Sequence, residues 1–115
     1  MISDPMGQGN GIEIEAAGLR DMIAADADIQ LIDVREPWEV DICRISDSRS
    51  IPLGDLQQRA SELSTDKTMV MICHHGTRSY RATMWLRQNG FDKALNLAGG
   101  IDAWAREIEP GMPRY

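Results

Sequence analysis

Residues 69–79 read Met-Val-Met-Ile-Cys-His-His-Gly-Thr-Arg-Ser, and the order of their chemistry predicts three consecutive structural elements. The first four residues form an unbroken apolar run, which is typical of a strand buried on both faces of a parallel sheet. The run stops at Cys73, and a helical pattern begins at residues 78–79 and continues to Arg87. The stretch therefore predicts a strand, a tight loop around Gly76 and a helix, with a thiol at the first loop position.

This arrangement predicts an anion-binding loop around Cys73. A loop that leads into a helix N-terminus carries unpaired backbone N–H groups, and the helix dipole adds positive charge there. A cysteine in that position is favoured as the thiolate, which is the nucleophilic form, and Arg78 adds a fixed charge beside it. The alternative is an inert cysteine buried at a strand end. The glycine, arginine and serine that follow Cys73 at close spacing favour the catalytic role.

The remaining sequence alternates strand patterns with helix patterns. Strands are predicted at residues 12–15, 29–34, 50–53 and 93–97, in addition to 69–72. Helices are predicted at residues 16–27, 55–63, 78–87 and 101–108, with a single helical turn at 37–40. The alternation predicts an α/β fold, a three-layer sandwich in which a mainly parallel sheet of about five strands is covered by helices on both faces. Pro52 predicts an edge or terminal position for the third strand.

Length and composition predict a single domain. The chain has 115 residues, 43% of them hydrophobic, which is enough to bury one core. We expect a flexible N-terminal tail at residues 1–11, the domain at residues 12–109 and a C-terminal tail at residues 110–115. Gly99 and Gly100 are expected to allow a sharp turn close to a neighbouring strand end, and Trp104 is expected to face the sheet.

Charge and cysteine content limit the partners and the compartment. The net charge of −6 argues against a general nucleic-acid surface or an anionic-membrane surface. Two cysteines do not form a disulfide framework, which favours a reducing compartment. No apolar run has the length of a signal segment or a membrane span. We therefore expect a cytoplasmic protein without nucleic-acid or membrane partners.

The loop and three other segments resemble a known family. The segment Cys73-His-His-Gly-Thr-Arg-Ser79 resembles the active-site loop of rhodanese-like sulfurtransferase domains, whose pattern is close to Cys-x-x-Gly-x-Arg-Ser. Residues 31–39, 51–53 and 97–104 resemble further signatures of that family in the same order. Four ordered matches across about 75 residues are far more specific than any one of them.

The resemblance implies a two-step transfer of sulfur through Cys73. Its thiolate would take a sulfane sulfur from thiosulfate or a small persulfide, and a thiophilic acceptor such as a protein thiol would remove it. Backbone N–H groups of residues 74–78 would hold the persulfide, and Arg78 would orient the anionic donor. No cofactor is expected. The implied binding loop consists of His74, His75, Gly76, Thr77, Arg78 and Ser79.

Two other functions remain as alternatives. A cysteine phosphatase or arsenate reductase would use the same residue types, but phosphatases of this kind have five residues between the cysteine and the arginine. Only residues 74–77 intervene here, so the loop is smaller and suits a phosphoryl group poorly. The other alternative is a persulfide carrier or binding module with little turnover.

Two charged residues, Asp33 and Arg35, and two histidines, His74 and His75, are predicted near Cys73. Asp33 and Arg35 lie at the carboxyl end of a predicted strand, where ligands bind in parallel sheets. We expect them mainly to hold the strand end, with a possible supporting role behind the Cys73 loop. His74 and His75 follow Cys73 directly, but side chains of adjacent residues do not easily converge on one ion, so no metal is expected.

The segment from Cys43 to Ser48 departs from the family pattern. The family usually has Gly-His-Ile and then, after one residue, Gly-Ala, whereas Cys43 and Asp47 stand here at the glycine positions. The backbone path is therefore open to question, because glycine adopts conformations that other residues adopt only at a cost. Cys43 is either a second thiol that resolves the persulfide or, as we favour, a small apolar filler.

Overall fold

The computed structural model describes residues 11–115, and its centre is a five-stranded parallel sheet. Its strands are β1 (Glu13–Ile14), β2 (Ile29–Asp33), β3 (Arg49–Ser50), β4 (Thr68–Ile72) and β5 (Ala94–Leu97). They lie in the order β1-β5-β4-β2-β3, and every neighbouring pair is parallel. The predicted α/β fold is confirmed. Residues 1–10 of the predicted N-terminal tail lie outside the described residues.

Within the described residues, four α-helices lie between consecutive strands and a fifth follows β5. They are α1 (Ala16–Ala24), α2 (Pro37–Ile42), α3 (Leu56–Arg59), α4 (Thr77–Gln88) and α5 (Gly100–Glu107). The predicted helix 16–27 ends early because Asp26 takes a left-handed conformation (φ 58°), which Asp tolerates better than most residues. The predicted helix 55–63 is replaced by α3 between two 3₁₀ turns, Leu53–Asp55 and Ala60–Glu62.

Two hydrophobic clusters cover the two faces of the sheet. One cluster joins Ile32, Met69 and Met71 to residues of α3 and α4, such as Leu56 and Leu86. The other cluster joins the alternate strand residues to α1 and α5, and it includes Leu31, Val70, Ile72, Leu19 and Trp104. Alternate side chains of a strand point to opposite faces, so helices pack on both sides. Trp104 is buried against the sheet, as predicted.

The register of β2 and β4 places the loops that follow them at the same end of the sheet. Asp33 at the end of β2 pairs with Ile72 at the end of β4, so Asp33 and Cys73 both lie at the carboxyl end of the parallel strands. Backbone hydrogen bonding continues one residue past β2, with Val34 N–H donating to the carbonyl of Ile72 (2.9 Å). β3 is an edge strand, but it ends at Ser50, so Pro52 follows the strand and the predicted strand at residues 50–53 was placed too late in the chain.

The atypical segment between α2 and β3 keeps a regular path. Cys43 is extended (φ −165°, ψ 154°), a conformation that any residue adopts. Asp47 is left-handed (φ 67°), and its short polar side chain makes this less costly than it would be for a bulky residue. The turn is closed by the Ser48 N–H, which donates to the carbonyl of Ile45 (3.2 Å), and by the Arg44 guanidinium, which donates to the carbonyl of Ser48. The turn therefore forms even though Cys43 and Asp47 stand at the positions where the family usually has glycine.

Within residues 11–115, no helix combines the length and the apolar content that crossing a bilayer would require.

Candidate active site

The Cys73 loop is shaped by a glycine that no other residue replaces cheaply. Gly76 directly precedes α4 and is left-handed (φ 100°). A Cβ atom there would lie 3.2 Å from the Gly99 nitrogen and 3.3 Å from the Leu97 carbonyl oxygen, both of which are backbone atoms. The loop therefore turns tightly between β4 and α4, and it brings the first residues of α4 back toward Cys73.

Three donors surround the sulfur of Cys73. Its Sγ accepts hydrogen bonds from the N–H groups of Gly76 (3.1 Å) and Ser79 (3.3 Å). The hydroxyl of Ser79 lies 3.2 Å from the same atom. Cys73 itself is 1% exposed. Within residues 11–115, the N–H groups of His75, Thr77 and Arg78 make no hydrogen bond, so this part of the loop retains donors for an added anionic group.

The N-terminus of α5 fixes the other side of the loop. The N–H groups of Ile101 and Asp102 donate to the carbonyls of Cys73 (2.8 Å) and His74 (3.0 Å). Gly100 makes this approach possible, since a Cβ atom there would lie 2.4 Å from the His74 oxygen and 2.6 Å from the Cys73 oxygen. The close turn predicted for the paired glycines is therefore built against the Cys73 loop.

Arg78 is held by a carboxylate. Its two terminal nitrogens donate to the two carboxylate oxygens of Glu39, each at 2.8 Å. These bonds lower the pKa of Glu39 to about 2, although its burial alone would raise it, and the N–H of Glu36 helps by donating to the same carboxylate. The pKa of Arg78 is raised by the same pair. The positive charge expected to orient a donor thus has a partner inside the protein.

A fully buried ion pair supports Glu39 from behind. Asp33 and Arg35 are both 0% exposed and pair at 2.6 Å. Arg35 also donates to the backbone carbonyls of Glu39 (3.1 Å) and Cys43 (2.7 Å). Burial alone would lower the pKa of Arg35, but the bonds with Asp33 and Tyr115 outweigh it and raise that pKa. Asp33 and Arg35 therefore support the site through the backbone of α2, which carries Glu39.

Tyr115 connects this ionic assembly to the loop, and sequence reasoning assigned it no role. Its hydroxyl accepts a hydrogen bond from Arg35 (3.0 Å) and donates one to Glu39 (2.9 Å). Its ring stacks on the ring of His74, with centroids 3.8 Å apart. Burial, together with the bond to Glu39, raises the pKa of Tyr115 to about 12. Tyr115, in the predicted C-terminal tail, thus packs on His74, the residue that follows Cys73.

The two loop histidines are stacked in the same column of rings. The centroids of His74 and His75 are 3.9 Å apart, and Trp38 meets Tyr115 edge-on at 5.8 Å. Burial, and then the neighbouring His75, lowers the pKa of His74. His74 Nε2 is the buried side-chain nitrogen or oxygen that lacks a hydrogen-bond partner among the described residues.

A second hydrogen-bonded network, whose groups nearest the sulfur are neutral, lies on the other side of Cys73. The Ser79 hydroxyl is 2.5 Å from Oδ1 of Asn96, and both residues are 0% exposed. Nδ2 of Asn96 donates to Oε2 of Glu13 (2.9 Å) and to the carbonyl of Gly76 (3.1 Å). Sequence reasoning did not single out Asn96 or Glu13. Glu39, by contrast, had a local signal, since Glu36 and Glu39 form a capping box with Pro37 at the start of α2.

A small open cavity adjoins the loop. Its volume is about 380 Å³, and it lies at the junction of the loop, α4 and the edge strand β1. Its lining combines loop backbone with polar and charged side chains, namely Glu13, His75, Gly76, Thr77, Tyr80, Arg81 and Gly99. The cavity is suited to a small polar molecule rather than to a large apolar ligand.

One residue group has metal-ligating types at short distance. Ligand atoms of His74, His75 and Asp102 lie within 4.8 Å of one another, so the premise that adjacent histidines do not converge was wrong. Asp102, however, is bound by Arg106 (3.2 Å) and Arg114 (3.1 Å), whose charges oppose a cation. Although burial alone would raise it, these two bonds lower the pKa of Asp102. The absence of a metal stays a prediction.

Cys43 is separated from Cys73 by the sheet. Both cysteines are free and buried. Cys43 belongs to the hydrophobic cluster of α1 and α5, whereas Cys73 belongs to that of α3 and α4. This placement favours the filler role over direct resolution of a persulfide.

Fold and loop together define an α/β protein with a cysteine-centred loop at the carboxyl edge of a parallel sheet. The chain belongs to the rhodanese-like sulfurtransferase family, since the model of the rhodanese-like domain matches residues 15–107. It is 39% identical over 101 residues to a sulfurtransferase of Allochromatium vinosum, covering 88% of this chain and 92% of that one.

Two further comparisons agree with this assignment. The putative sulfurtransferase YtwF of Bacillus subtilis is 40% identical over 98 residues, which is 85% of this chain and 94% of that one. The crystal structure of a rhodanese-related protein from Thermoplasma volcanium is similar with a TM-score of 0.77 at 37% identity, covering 85% of this chain and 94% of that chain.

Proposed function

We propose that this protein moves a sulfane sulfur from thiosulfate or a small persulfide to a thiophilic acceptor through a persulfide on Cys73. The observation that carries the proposal is the coordination of Sγ by two backbone N–H groups and one hydroxyl. Donors fixed in this way stabilise negative charge on sulfur without reorganising during the reaction. The family assignment and the sulfurtransferase names of similar proteins support the same reaction class.

The first half-reaction forms the persulfide. The Cys73 thiolate attacks the outer sulfur of thiosulfate, a sulfur–sulfur bond forms, and the old bond breaks so that its electron pair leaves with sulfite. The terminal sulfur then carries the negative charge. The N–H groups of His75, Thr77 and Arg78, which make no hydrogen bond within residues 11–115, are the donors proposed to stabilise it.

The second half-reaction returns the enzyme to its starting state. A nucleophilic acceptor, such as cyanide or a protein thiol, attacks the terminal sulfur, and the Cys73 thiolate leaves. No cofactor takes part in either step. Two covalent half-reactions of this kind predict ping-pong kinetics. We place the reaction in the reducing environment of the cytoplasm, where the two free cysteines would stay reduced.

Arg78 is assigned to holding the loop rather than to binding the donor. Its guanidinium is occupied by both oxygens of Glu39. The same pairing weakens the phosphatase alternative, because an arginine engaged in this way lacks the free fork that binds a phosphate. The carrier alternative is favoured by one observation, the 1% exposure of Cys73, which would slow turnover of small molecules.

Intact-mass spectrometry after incubation with thiosulfate tests the proposal directly. One added sulfur is expected on the wild-type protein and on Cys43→Ser, and none on Cys73→Ser. Thiosulfate:cyanide transfer should disappear in Cys73→Ser and remain in Cys43→Ser. Retained transfer in Cys73→Ser would refute the mechanism. An added sulfur without turnover would identify a carrier, and turnover of a small aryl phosphate in place of thiosulfate would identify a phosphatase.

A further inference from the structure

A line of three polar side chains runs from the sulfur of Cys73 to the edge of the sheet. Ser79 Oγ lies 3.2 Å from Cys73 Sγ and 2.5 Å from Asn96 Oδ1. Asn96 Nδ2 in turn lies 2.9 Å from Oε2 of Glu13 on the edge strand β1. Ser79 and Asn96 are both 0% exposed.

The orientation of the Asn96 amide follows from its neighbours. Nδ2 faces two groups that only accept hydrogen bonds, the carboxylate of Glu13 (2.9 Å) and the carbonyl of Gly76 (3.1 Å). An amide nitrogen has two N–H donors and an amide oxygen has none, so the nitrogen must lie on that side. Oδ1 therefore faces Ser79 as an acceptor.

The Ser79 hydroxyl has one proton and two neighbours that compete for it. When Cys73 is a thiol, the hydroxyl donates to Asn96 Oδ1 (2.5 Å), and its oxygen is free to accept the S–H proton. When the sulfur is a thiolate, no S–H proton is present, and the hydroxyl proton stabilises the charge by turning to Sγ (3.2 Å). Asn96 Oδ1 thus keeps Ser79 Oγ beside the sulfur before the thiolate forms, and the hydroxyl then turns its proton to the thiolate.

We propose that Asn96 is a positioning residue that aims the Ser79 hydroxyl at Cys73, and that Glu13 fixes Asn96 for this purpose. The inference rests on the proposed role of Cys73 as a nucleophile. Asn96 holds Ser79 Oγ near the sulfur, and as a neutral acceptor it releases the proton more easily than a carboxylate would. This role accounts for a buried asparagine on β5, an interior strand of the sheet, where burial of a polar side chain is otherwise costly.

A double-mutant cycle tests this inference through the reactivity of Cys73 toward iodoacetamide, an uncharged reagent. All proteins carry Cys43→Ser so that one thiol reacts. Ser79→Ala and Asn96→Ala should each slow alkylation at pH 7 about tenfold, which is the worth of one hydrogen bond to a charged group. If Asn96 acts through Ser79, adding Asn96→Ala to Ser79→Ala should cause little further loss.

Multiplied losses in the double variant would overturn the proposal, because Asn96 would then act on the loop as a whole. Faster alkylation of Asn96→Ala would also overturn it, because Asn96 would then only compete with Cys73 for the hydroxyl proton. Should Asn96→Ala not fold, Glu13→Ala takes its place, since Glu13 lies on the edge strand and is only partly buried. It should slow alkylation about threefold with Ser79 present and leave it unchanged with Ser79→Ala. An unchanged rate in the presence of Ser79 would overturn the proposal. Coupled alkylation rates without sulfur transfer would refute the proposed function but not the positioning role.

Discussion

The two sides of the Cys73 loop are built from opposite kinds of chemistry. On one side, which we call the ionic side, lie two ion pairs and a tyrosine, formed by Asp33, Arg35, Glu39, Arg78 and Tyr115. On the other, the neutral side, the groups nearest the sulfur are N–H and hydroxyl donors of Gly76 and Ser79, backed by Asn96. Each positively charged side chain of the ionic side is paired with a carboxylate rather than with Sγ. The loop is therefore held in place by charges, while the sulfur is contacted by neutral groups.

The difference predicts unequal costs of substitution. Breaking a buried ion pair leaves an uncompensated charge and is strongly destabilising, whereas a neutral hydrogen bond contributes about 1 kcal/mol. Variants of the ionic side should therefore lose stability first, and variants of the neutral side should lose reactivity of Cys73 first.

Arg35→Leu should have the largest effect on stability. It leaves Asp33 buried without its partner and removes the donors to the carbonyls of Glu39 and Cys43. We expect the free energy of unfolding to fall by about 3–5 kcal/mol in urea denaturation. The matched control is Lys67→Met, which removes an exposed pair with Asp28 (3.4 Å) and should cost less than about 1 kcal/mol. Equal losses in the two variants would mean that the buried ion pair contributes no more to the free energy of unfolding than the exposed one.

Glu39→Gln and Arg78→Gln distinguish whether the Arg78 side chain holds the loop or binds the sulfur donor. Both break the same pair, so both should lower the free energy of unfolding by about 1–3 kcal/mol, less than a fully buried pair because Arg78 is 39% exposed. Both should also reduce transfer from thiosulfate and from an uncharged organic persulfide by similar factors. If Arg78 instead orients the donor, Glu39→Gln frees it and should preserve or improve use of thiosulfate, while Arg78→Gln should harm thiosulfate selectively.

The pH dependence of stability isolates the Glu39 carboxylate. Its folded pKa of about 2 lies below its ordinary value of 4.5, so its contribution is fully present above pH 4.5 and is lost as the pH falls toward 2. At about 1.4 kcal/mol per pKa unit, and discounted for solvent screening of Arg78, the loss should be about 1–2 kcal/mol. Between pH 5 and pH 2, urea denaturation should therefore show a smaller loss for Glu39→Gln than for the wild type. Parallel curves would contradict the assignment.

Local sequence patterns predicted those elements whose conformation depends on residues close together in the chain. The apolar run before Cys73, the helical pattern after it and the ordered family motifs gave the strand, loop and helix in their correct order. The paired glycines before α5 predicted a close turn because their conformational freedom is a property of single residues.

The partners of the site were not predictable because they are distant in the chain. Glu39 and Arg78 are 39 positions apart, and Tyr115 lies 80 positions from Arg35. Asn96 and Glu13 are separated by 83 positions and meet only because β1 and β5 are neighbours in the sheet. Periodicity carries no information about such pairs. The sequence therefore identified Cys73 and its loop as candidates, whereas the fold was needed to find the side chains that hold them.

Tyr115→Phe should give the smallest effect, and it tests the bond between the ionic side and the loop. The variant keeps the ring that stacks on His74 at 3.8 Å but loses the hydroxyl that bridges Arg35 and Glu39. One net hydrogen bond corresponds to a loss of about 1 kcal/mol in the free energy of unfolding. Tyr115→Leu should lose more, since the ring contact disappears as well. It should also change the fluorescence of Trp38, which meets the Tyr115 ring edge-on at 5.8 Å. Equal losses in the two variants would show that the ring contributes nothing and that the hydroxyl alone connects the end of the chain to the site.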